Sequence, residues 1–479
     1  MPPKGPPSHE ITRAALLRAL AIVYLIAFAS LLPQLDGLVG PDGLAPLADT
    51  LRRLDLHAAR APITGWLPLD RQLVGPGLQW WLPTAYAPSV IAWIGVVASL
   101  AAAAGRAQGP ALLACFVAYA SLGTCGGRFL SFQWDTLLCE VGFAALLLAP
   151  WRPGRAADPW GVWLLRWILF RLMFFAGVVK LTSGDPSWWD GTALAWHYET
   201  QPLPNPLSWY AHHLPLMWHR VETLVTLVIE LALGLLALGP RRGRAPAFIA
   251  YSGLMALLAL TGNYGFFQLL TAVLALSLLD DAHWQRALPR GWGKPGKRAP
   301  PEPWERAAVG VIAGALVVVS LVGMAPRYLK VDLPAPLERV RQIASSARVV
   351  NHYGLFASMT KERPIPILEV RWGDGPWTEL TWRWQTSDPA ARPAQVAPYM
   401  PRLDWQLWFA GLSGCDGQPW THDLLARVLE GSQPVAGLIG DLRLAGRPPD
   451  EARLVRFDYR FSAPGAGDAW WTQERGPVM

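Results

Sequence analysis

Residues 162–182 read VWLLRWILFRLMFFAGVVKLT, and this stretch decides the fold class. It is apolar over a length that crosses the roughly 30 Å hydrocarbon core of a bilayer as a helix. It nevertheless carries Arg166, Arg171 and Lys180. An ionisable side chain inside a membrane costs about 2.5–3.5 kcal/mol, so each of these residues requires a reason. The stretch therefore predicts a transmembrane helix whose charged residues have a structural or a functional role.

Further apolar stretches recur on both sides of this helix. We predict nine membrane segments, at about 13–33, 86–105, 110–126, 133–150, 162–182, 219–239, 245–261, 264–280 and 305–325. The third, seventh and eighth are short, and two of them could instead be re-entrant. The first segment is longer than the apolar core of a signal peptide and lacks a small-residue cleavage site, so we expect it to be retained.

The charge distribution predicts the topology. Most basic residues of the loops fall on the side of the N-terminus, which places residues 1–12 in the cytoplasm. After an all-α polytopic transmembrane domain at 13–326, about nine helices in all, residues 327–479 form an extracytoplasmic, tryptophan-rich domain. Its alternating stretches predict strands at 367–372, 377–384 and 453–462, and short helices are expected at 403–412 and 423–429. These elements suit a small α+β or β-sandwich-like domain.

Composition agrees with a membrane protein and argues against other classes. Hydrophobic residues make up 52% of the chain and charged residues only 16%, well below the share of charged residues in soluble proteins. The net charge of +7 comes without a basic patch interleaved with aromatic residues, so nucleic acid is not an expected partner. The four cysteines form no metal-ligand spacing, and a disulfide between Cys125 and Cys415 is a minor alternative to buried thiols.

Charged residues concentrate in the fourth, fifth and sixth predicted helices. At about 1.5 Å of rise per residue, they sort by depth into two layers, each with one base and two acids. The outer layer, on the side of the soluble domain, holds Asp135, Lys180 and Glu222. The deeper layer holds Glu140, Arg171 and Glu230.

The two layers suggest different roles. In the deeper layer, Arg171 is expected to pair with Glu140 or Glu230 and hold the bundle together. Lys180 differs because a desolvated lysine can lose its proton, whereas arginine cannot. We therefore predict Lys180 as a candidate catalytic base, with Asp135 and Glu222 as its neighbours. A lysine that snorkels to the interface is the alternative.

The loop after Lys180 is rich in polar and aromatic side chains. Asp185, Trp188, Trp189, His212 and His213 are candidate binding residues there, although tryptophan also favours the membrane interface without any ligand. The histidines suggest a metal, but no carboxylate or cysteine completes a ligand set, so no metal site is predicted. The sequence identifies no cofactor and contains no motif of the known soluble enzymes.

Several sequence blocks resemble the lipase maturation factor family. They include RFLSFQWDTLLCE at 128–140, HYETQPLP at 197–204, NHYGLF at 351–356, RLDWQ at 402–406 and FDYRF at 457–461. The resemblance covers both domains in the family's order. It implies a polytopic membrane protein that helps secreted lipases reach their active form. In animals, the members of this family reside in the endoplasmic reticulum membrane. The arginine-rich, lysine-poor composition and the lack of glycosylation acceptors instead suggest a bacterial inner membrane for this chain.

A shorter stretch, FAGVVKL at 175–181, is similar to the membrane domain of the vitamin K-dependent carboxylase type. That likeness implies an active-site lysine at Lys180. Two hypotheses follow. The favoured one is a non-enzymatic maturation factor whose outer domain engages secretory client proteins through exposed aromatic and strand-edge surface. The alternative is an integral membrane enzyme that uses Lys180 as a base at the outer leaflet.

Overall fold

A computed structural model describes residues 8–60, 62–152, 154–289 and 298–479. Within these ranges the chain is mostly helical, with one antiparallel sheet near its C-terminal end. The helices of the described ranges are, in chain order, α1 (Glu10–Leu31), α2 (Leu35–Val39), α3 (Leu47–Arg60), α4 (Leu67–Val74), α5 (Ala87–Ala103), α6 (Gln108–Gly126), α7 (Gln133–Leu146), α8 (Pro159–Thr182), α9 (Pro186–Asp190), α10 (Ala193–Thr200), α11 (Pro206–His212), α12 (Leu216–Leu236), α13 (Arg241–Thr261), α14 (Phe267–Ala275), α15 (Asp281–Ala287), α16 (Pro303–Leu329), α17 (Ala335–Ser346), α18 (Arg402–Ser413), α19 (Trp420–Leu429) and α20 (Gln433–Ile439).

Each predicted membrane segment coincides with a helix, which confirms the helical membrane region. Over the described ranges, five helical stretches are long and apolar enough to cross a membrane: 10–39, 108–130, 159–182, 241–261 and 303–329. Helix α5 and the segment from α14 to Leu278 are shorter but apolar. At about 1.5 Å per residue α14 is only about 14 Å long, which agrees with the re-entrant alternative for that segment.

The decisive helix α8 begins and ends where local chemistry dictates. Asp158 caps its start by accepting a hydrogen bond from the Trp160 amide at 2.8 Å, and Pro159 occupies the first turn, where no amide donor is needed. The apolar run then continues without interruption to Thr182. Gly184, with a φ of +82°, redirects the chain directly after the helix. These signals place Lys180 in the last turn of α8.

The sheet of the C-terminal region has, within the described residues, the strand order β2-β1-β3-β4. Strand β1 (Pro364–Arg371) pairs with β3 (Glu451–Phe461) along its whole length, while β2 (Thr378–Glu379) and β4 (Trp471–Val478) lie at the edges. Helix α18 packs so closely on β1 that a Cβ atom at Gly411 would overlap the carbonyl oxygen of Pro364. One sheet with short helices fits the α+β alternative rather than the β-sandwich.

Two details of this region differ from the predictions. The predicted strand at 377–384 is wrong beyond Glu379, because amides after Leu380 donate to side chains and not to β1: Trp382 to Ser387 and Trp384 to Asp404. Strand β4 was not predicted, because its residues TQERGPV are too polar to show an alternating pattern. Among the described residues all four cysteines carry free, buried thiols, so the alternative disulfide between Cys125 and Cys415 does not form.

The C-terminal region and the membrane helices share one hydrophobic core. Buried residues run without a break from α1, through α7 and α8, to the sheet and α18. Polar contacts reinforce this junction. Ser30, near the end of α1, accepts a hydrogen bond from the Met400 amide at 2.8 Å, and Arg348 donates to the carbonyl oxygen of Gly123 at 2.7 Å. The C-terminal region therefore packs onto one end of the bundle through both apolar and polar contacts.

Candidate functional site

Lys180 lies in a buried ion pair with Glu230. Its Nζ atom donates to Glu230 Oε1 at 2.7 Å, and both side chains are almost fully buried. Of the two neighbours predicted for Lys180, Asp135 lies elsewhere and pairs with Arg402, whereas Glu222 lines the same cavity as Lys180. Side chains on a helix point back toward its N-terminus. The Lys180 side chain therefore extends away from the outer surface and reaches Glu230, which was predicted to lie in the deeper layer. The depth of the Cα atom alone did not reveal this.

Arg171 pairs with Glu140, which confirms one of the two partners predicted for it. Two residues of the C-terminal region complete the pair. The Asn351 amide donates to Glu140 Oε2 at 3.0 Å, and the Tyr353 hydroxyl donates to the same oxygen. Arg171 in turn donates to the carbonyl oxygen of Asn351 at 3.0 Å. This membrane ion pair therefore serves as an attachment point for the segment that follows α17.

Asp135 has an unpredicted partner in the C-terminal region. Arg402, the first residue of α18, donates from its two Nη atoms to the two carboxylate oxygens, both at 2.8 Å. The Tyr119 hydroxyl donates to Asp135 Oδ1 at 2.6 Å. Asp135 is 0% and Arg402 1% exposed. Asp135 thus joins α7 to the C-terminal domain and is not a neighbour of Lys180.

The Lys180–Glu230 pair lies on the wall of an apolar cavity of about 330 Å³. The cavity lies between α8, α12 and α13, and is closed on the side of the C-terminal domain by α10 and the segment 354–359. Its walls are mainly leucine, methionine and phenylalanine. Polar side chains are confined to a small set, namely Lys180, Trp188, His197, Tyr198, Glu222, Thr226, Glu230, Thr261 and Tyr264.

Hydrogen bonds fix several of these polar groups. The Tyr198 hydroxyl donates to Glu222 Oε2 at 3.1 Å. The Tyr264 hydroxyl donates to Gln201 at 2.8 Å and lies 3.2 Å from His197 Nε2. Burial, together with the nearby charge of Lys180, lowers the pKa of His197 to about 4, so its imidazole is neutral at physiological pH. The cavity thus combines an apolar body with one preorganised polar region, the usual design of a small-molecule site.

The remaining predicted residues divide between this cavity and the surface. Trp188 is buried, and Lys180 Nζ lies 5.2 Å from the centre of its ring, whereas Trp189 is exposed. Asp185 caps α9 and accepts a hydrogen bond from the Met359 amide at 2.6 Å. His212 and His213 contact each other edge to face, outside the cavity lining. Among the described residues, no three histidine, cysteine or carboxylate side chains are grouped to hold a metal.

The cavity therefore gathers Lys180, Glu222, Glu230 and Trp188, but not Asp135, Glu140 or Arg171. Three residues of the cavity were not predicted as site residues: His197, Tyr198 and Tyr264. His197 and Tyr198 belong to the block at 197–204 that resembles the family. That resemblance is the sequence feature that could have pointed to them. Tyr264 lies between two apolar segments and had no distinguishing pattern.

Comparison with known proteins identifies both halves of the chain. Residues 11–286 match the family model described as the lipase maturation factor transmembrane domain, and residues 349–478 match the lipase maturation factor C-terminal domain. Lipase maturation factor 2 of Mus musculus is 32% identical over 98% of this chain and 82% of its own length. Lipase maturation factor 1 of Homo sapiens is 32% identical over 99% of this chain and 89% of its own length. No solved structure matches the chain, and the matches lend no support to the likeness with carboxylases.

Proposed function

We propose that this integral membrane protein assists the maturation of secreted lipases. The chain belongs to the lipase maturation factor family. The observation that carries the proposal is the match through both domains over nearly the full chain. A similarity limited to the apolar helices would support only a membrane protein. Here the C-terminal domain, the part outside the membrane helices, matches as well.

The C-terminal domain is proposed to face the extracytoplasmic side, in a periplasm or a lumen. It contacts the ends of α1 and α6 that lie near Ser30 and Gly123. The opposite end of the bundle carries Arg13 at the start of α1, Arg155 before α8 and Arg241 at the start of α13. Because cytoplasmic ends of membrane helices are enriched in arginine, this distribution supports a cytoplasmic position for that end.

Contact with a client protein is proposed at the outer edge of the sheet. Within the described residues, β4 pairs with β3 on one side and with no strand on the other. An unpaired edge presents backbone donors and acceptors that an extended client segment can use. The charges of Glu474 and Arg475 on this strand limit pairing between copies of the protein itself. Because the domain is packed on the bundle, a client bound there would be held close to the membrane surface.

The function is tested by expressing a secreted lipase in cells that lack the gene, with and without the full chain. We expect the enzymatic activity per amount of secreted lipase protein to increase when the chain is present. A secreted non-lipase enzyme expressed in the same cells serves as the control and should not change. Equal specific activity of the lipase in both strains, with the chain inserted in the membrane, would refute the proposal.

The orientation is tested separately with single cysteine substitutions at exposed positions. Leu442 in the C-terminal domain is 87% exposed, and the Arg152 side chain at the opposite end is 61% exposed. A membrane-impermeant maleimide applied from the extracytoplasmic side should label Leu442→Cys, and should label Arg152→Cys only after permeabilisation. The native cysteines are buried and give a low background. The reverse labelling pattern would invert the topology.

A further inference from the structure

We propose that the cavity beside Lys180 binds one neutral, single-chain lipid whose head group carries a hydroxyl. The cavity of about 330 Å³ lies at the small end of the range for ligand sites, roughly 300–1,000 Å³. This size suits one slender molecule rather than a phospholipid with two acyl chains. The apolar walls would surround the tail, and the polar region at Glu230 would receive the head group. The proposal does not depend on lipase maturation.

The polar region contains buried atoms that require a partner. Glu230 Oε2, Trp188 Nε1 and His197 Nδ1 have no hydrogen-bond partner among the residues described. All three side chains line the cavity and are at least nine-tenths buried. Buried polar groups almost always have a partner, because an unsatisfied one costs about 1–3 kcal/mol. Their occurrence together on the wall of one cavity points to a ligand.

The chemistry of these atoms selects the head group. The free oxygen of Glu230 accepts a hydrogen bond, and the indole N–H of Trp188 donates one. A hydroxyl group can serve both, since it donates and accepts. Lys180 is already neutralised by Glu230 at 2.7 Å, while Glu222 adds a further carboxylate to the wall. The lining therefore offers no free positive charge to an anionic head group, and a neutral one is favoured.

The position of the cavity mouth indicates where the ligand comes from. Val225 on α12 and Leu257 on α13 line the cavity, yet they are 49% and 62% exposed. Both helices are apolar on their outer faces, and α13 is among the helices long and apolar enough to cross the membrane. The opening between α12 and α13 therefore faces the hydrocarbon of the bilayer. A lipid can enter sideways from the membrane without passing through water.

The experiment uses the purified full chain in lipid nanodiscs and a monoacylglycerol that carries a photoreactive diazirine in its acyl chain. We expect labelled peptides from α12 and α13. Val225→Trp narrows the mouth and should lower the labelling at least tenfold. Val228→Trp is the matched control, since Val228 is 46% exposed on the same helix but does not line the cavity. Its labelling should equal that of the wild type.

A second pair of variants tests the head-group contact. Trp188→Phe removes the indole N–H and should weaken binding about fivefold, as expected for one neutral hydrogen bond. Trp189→Phe is the control, since that side chain is exposed and does not line the cavity. A diazirine fatty acid, which is anionic, should label more weakly than the monoacylglycerol. Undiminished labelling of Val225→Trp, an unchanged affinity of Trp188→Phe, or equal labelling by the fatty acid would each overturn the proposal.

Discussion

Replacing Asp135 by asparagine should destabilise the junction between the bundle and the C-terminal domain. The carboxylate accepts two hydrogen bonds from Arg402 at 2.8 Å, and the two side chains are 0% and 1% exposed. Asparagine leaves the guanidinium buried without a counter-charge. Removing one member of a buried ion pair costs about 3–5 kcal/mol, and we expect a loss of that size. The double variant Asp135→Leu/Arg402→Met, which removes both charges, should recover most of it.

The buried cysteines provide the assay. A thiol-reactive dye that fluoresces on reaction reports thermal unfolding, because all four thiols are buried in the folded chain. Asp49→Asn is the matched control. Asp49 also pairs with an arginine, Arg52, at 3.1 Å, but on the surface with side chains 48% and 75% exposed. That pair should contribute about 0–1 kcal/mol. An unfolding temperature for Asp135→Asn as close to wild type as that of Asp49→Asn would refute the structural role of the junction.

Three further predictions concern other parts of the molecule. Burial raises the pKa of Asp404 to about 6, so the folded chain holds this proton more tightly than the unfolded chain. Stability should therefore decrease by up to about 3 kcal/mol as the pH rises from about 4 to about 6, and Asp404→Asn should remove this slope in thermal unfolding at varied pH. Gly411→Ala should cost about 1–3 kcal/mol, because the new methyl group meets the backbone of β1, while Gly437→Ala, with open space around it, should be neutral or stabilising in the same measurement. Lys180→Met should destabilise the chain by about 3–5 kcal/mol and Lys180→Met/Glu230→Met much less. The double variant should still support lipase activity, and a stable but inactive double variant would assign a functional role to the Lys180–Glu230 pair.

The membrane helices could be predicted closely because their signal is local. The segment predicted at 162–182 is observed as Pro159–Thr182, and the difference is the capping turn that Asp158 supplies. A continuous apolar run and the residues that cap it are both contained in a short window of sequence. The α+β region was less predictable. Strand β4 is held by its pairing with β3, which is a tertiary contact. Its own polar sequence shows no alternation that would predict a strand.

The charge pairs could be anticipated only in part, and the reason is geometric. The sequence identified Asp135, Glu140, Arg171, Lys180 and Glu230 as buried charges that need partners, and each has one. It could not assign the partners, since helix rotation and side-chain direction are set by tertiary packing. Lys180 reaches back along α8 to Glu230. The partner of Asp135 lies in a different domain, beyond the range of any spacing rule.

The attachment of the C-terminal domain through buried charges has a consequence for biosynthesis. Asp135 and Arg402 are 267 positions apart in the sequence. At a synthesis rate of about 5–20 residues per second, α7 waits roughly 15–50 s before the arginine that neutralises its carboxylate emerges from the ribosome. During that interval the nascent membrane domain carries uncompensated acids at Asp135 and, until residue 351 arrives, an incomplete site at Glu140. A chain that ends prematurely, even after all its membrane helices, would lack the residues that pair with these buried acids. We expect the cell's quality control to recognise such a chain as misfolded.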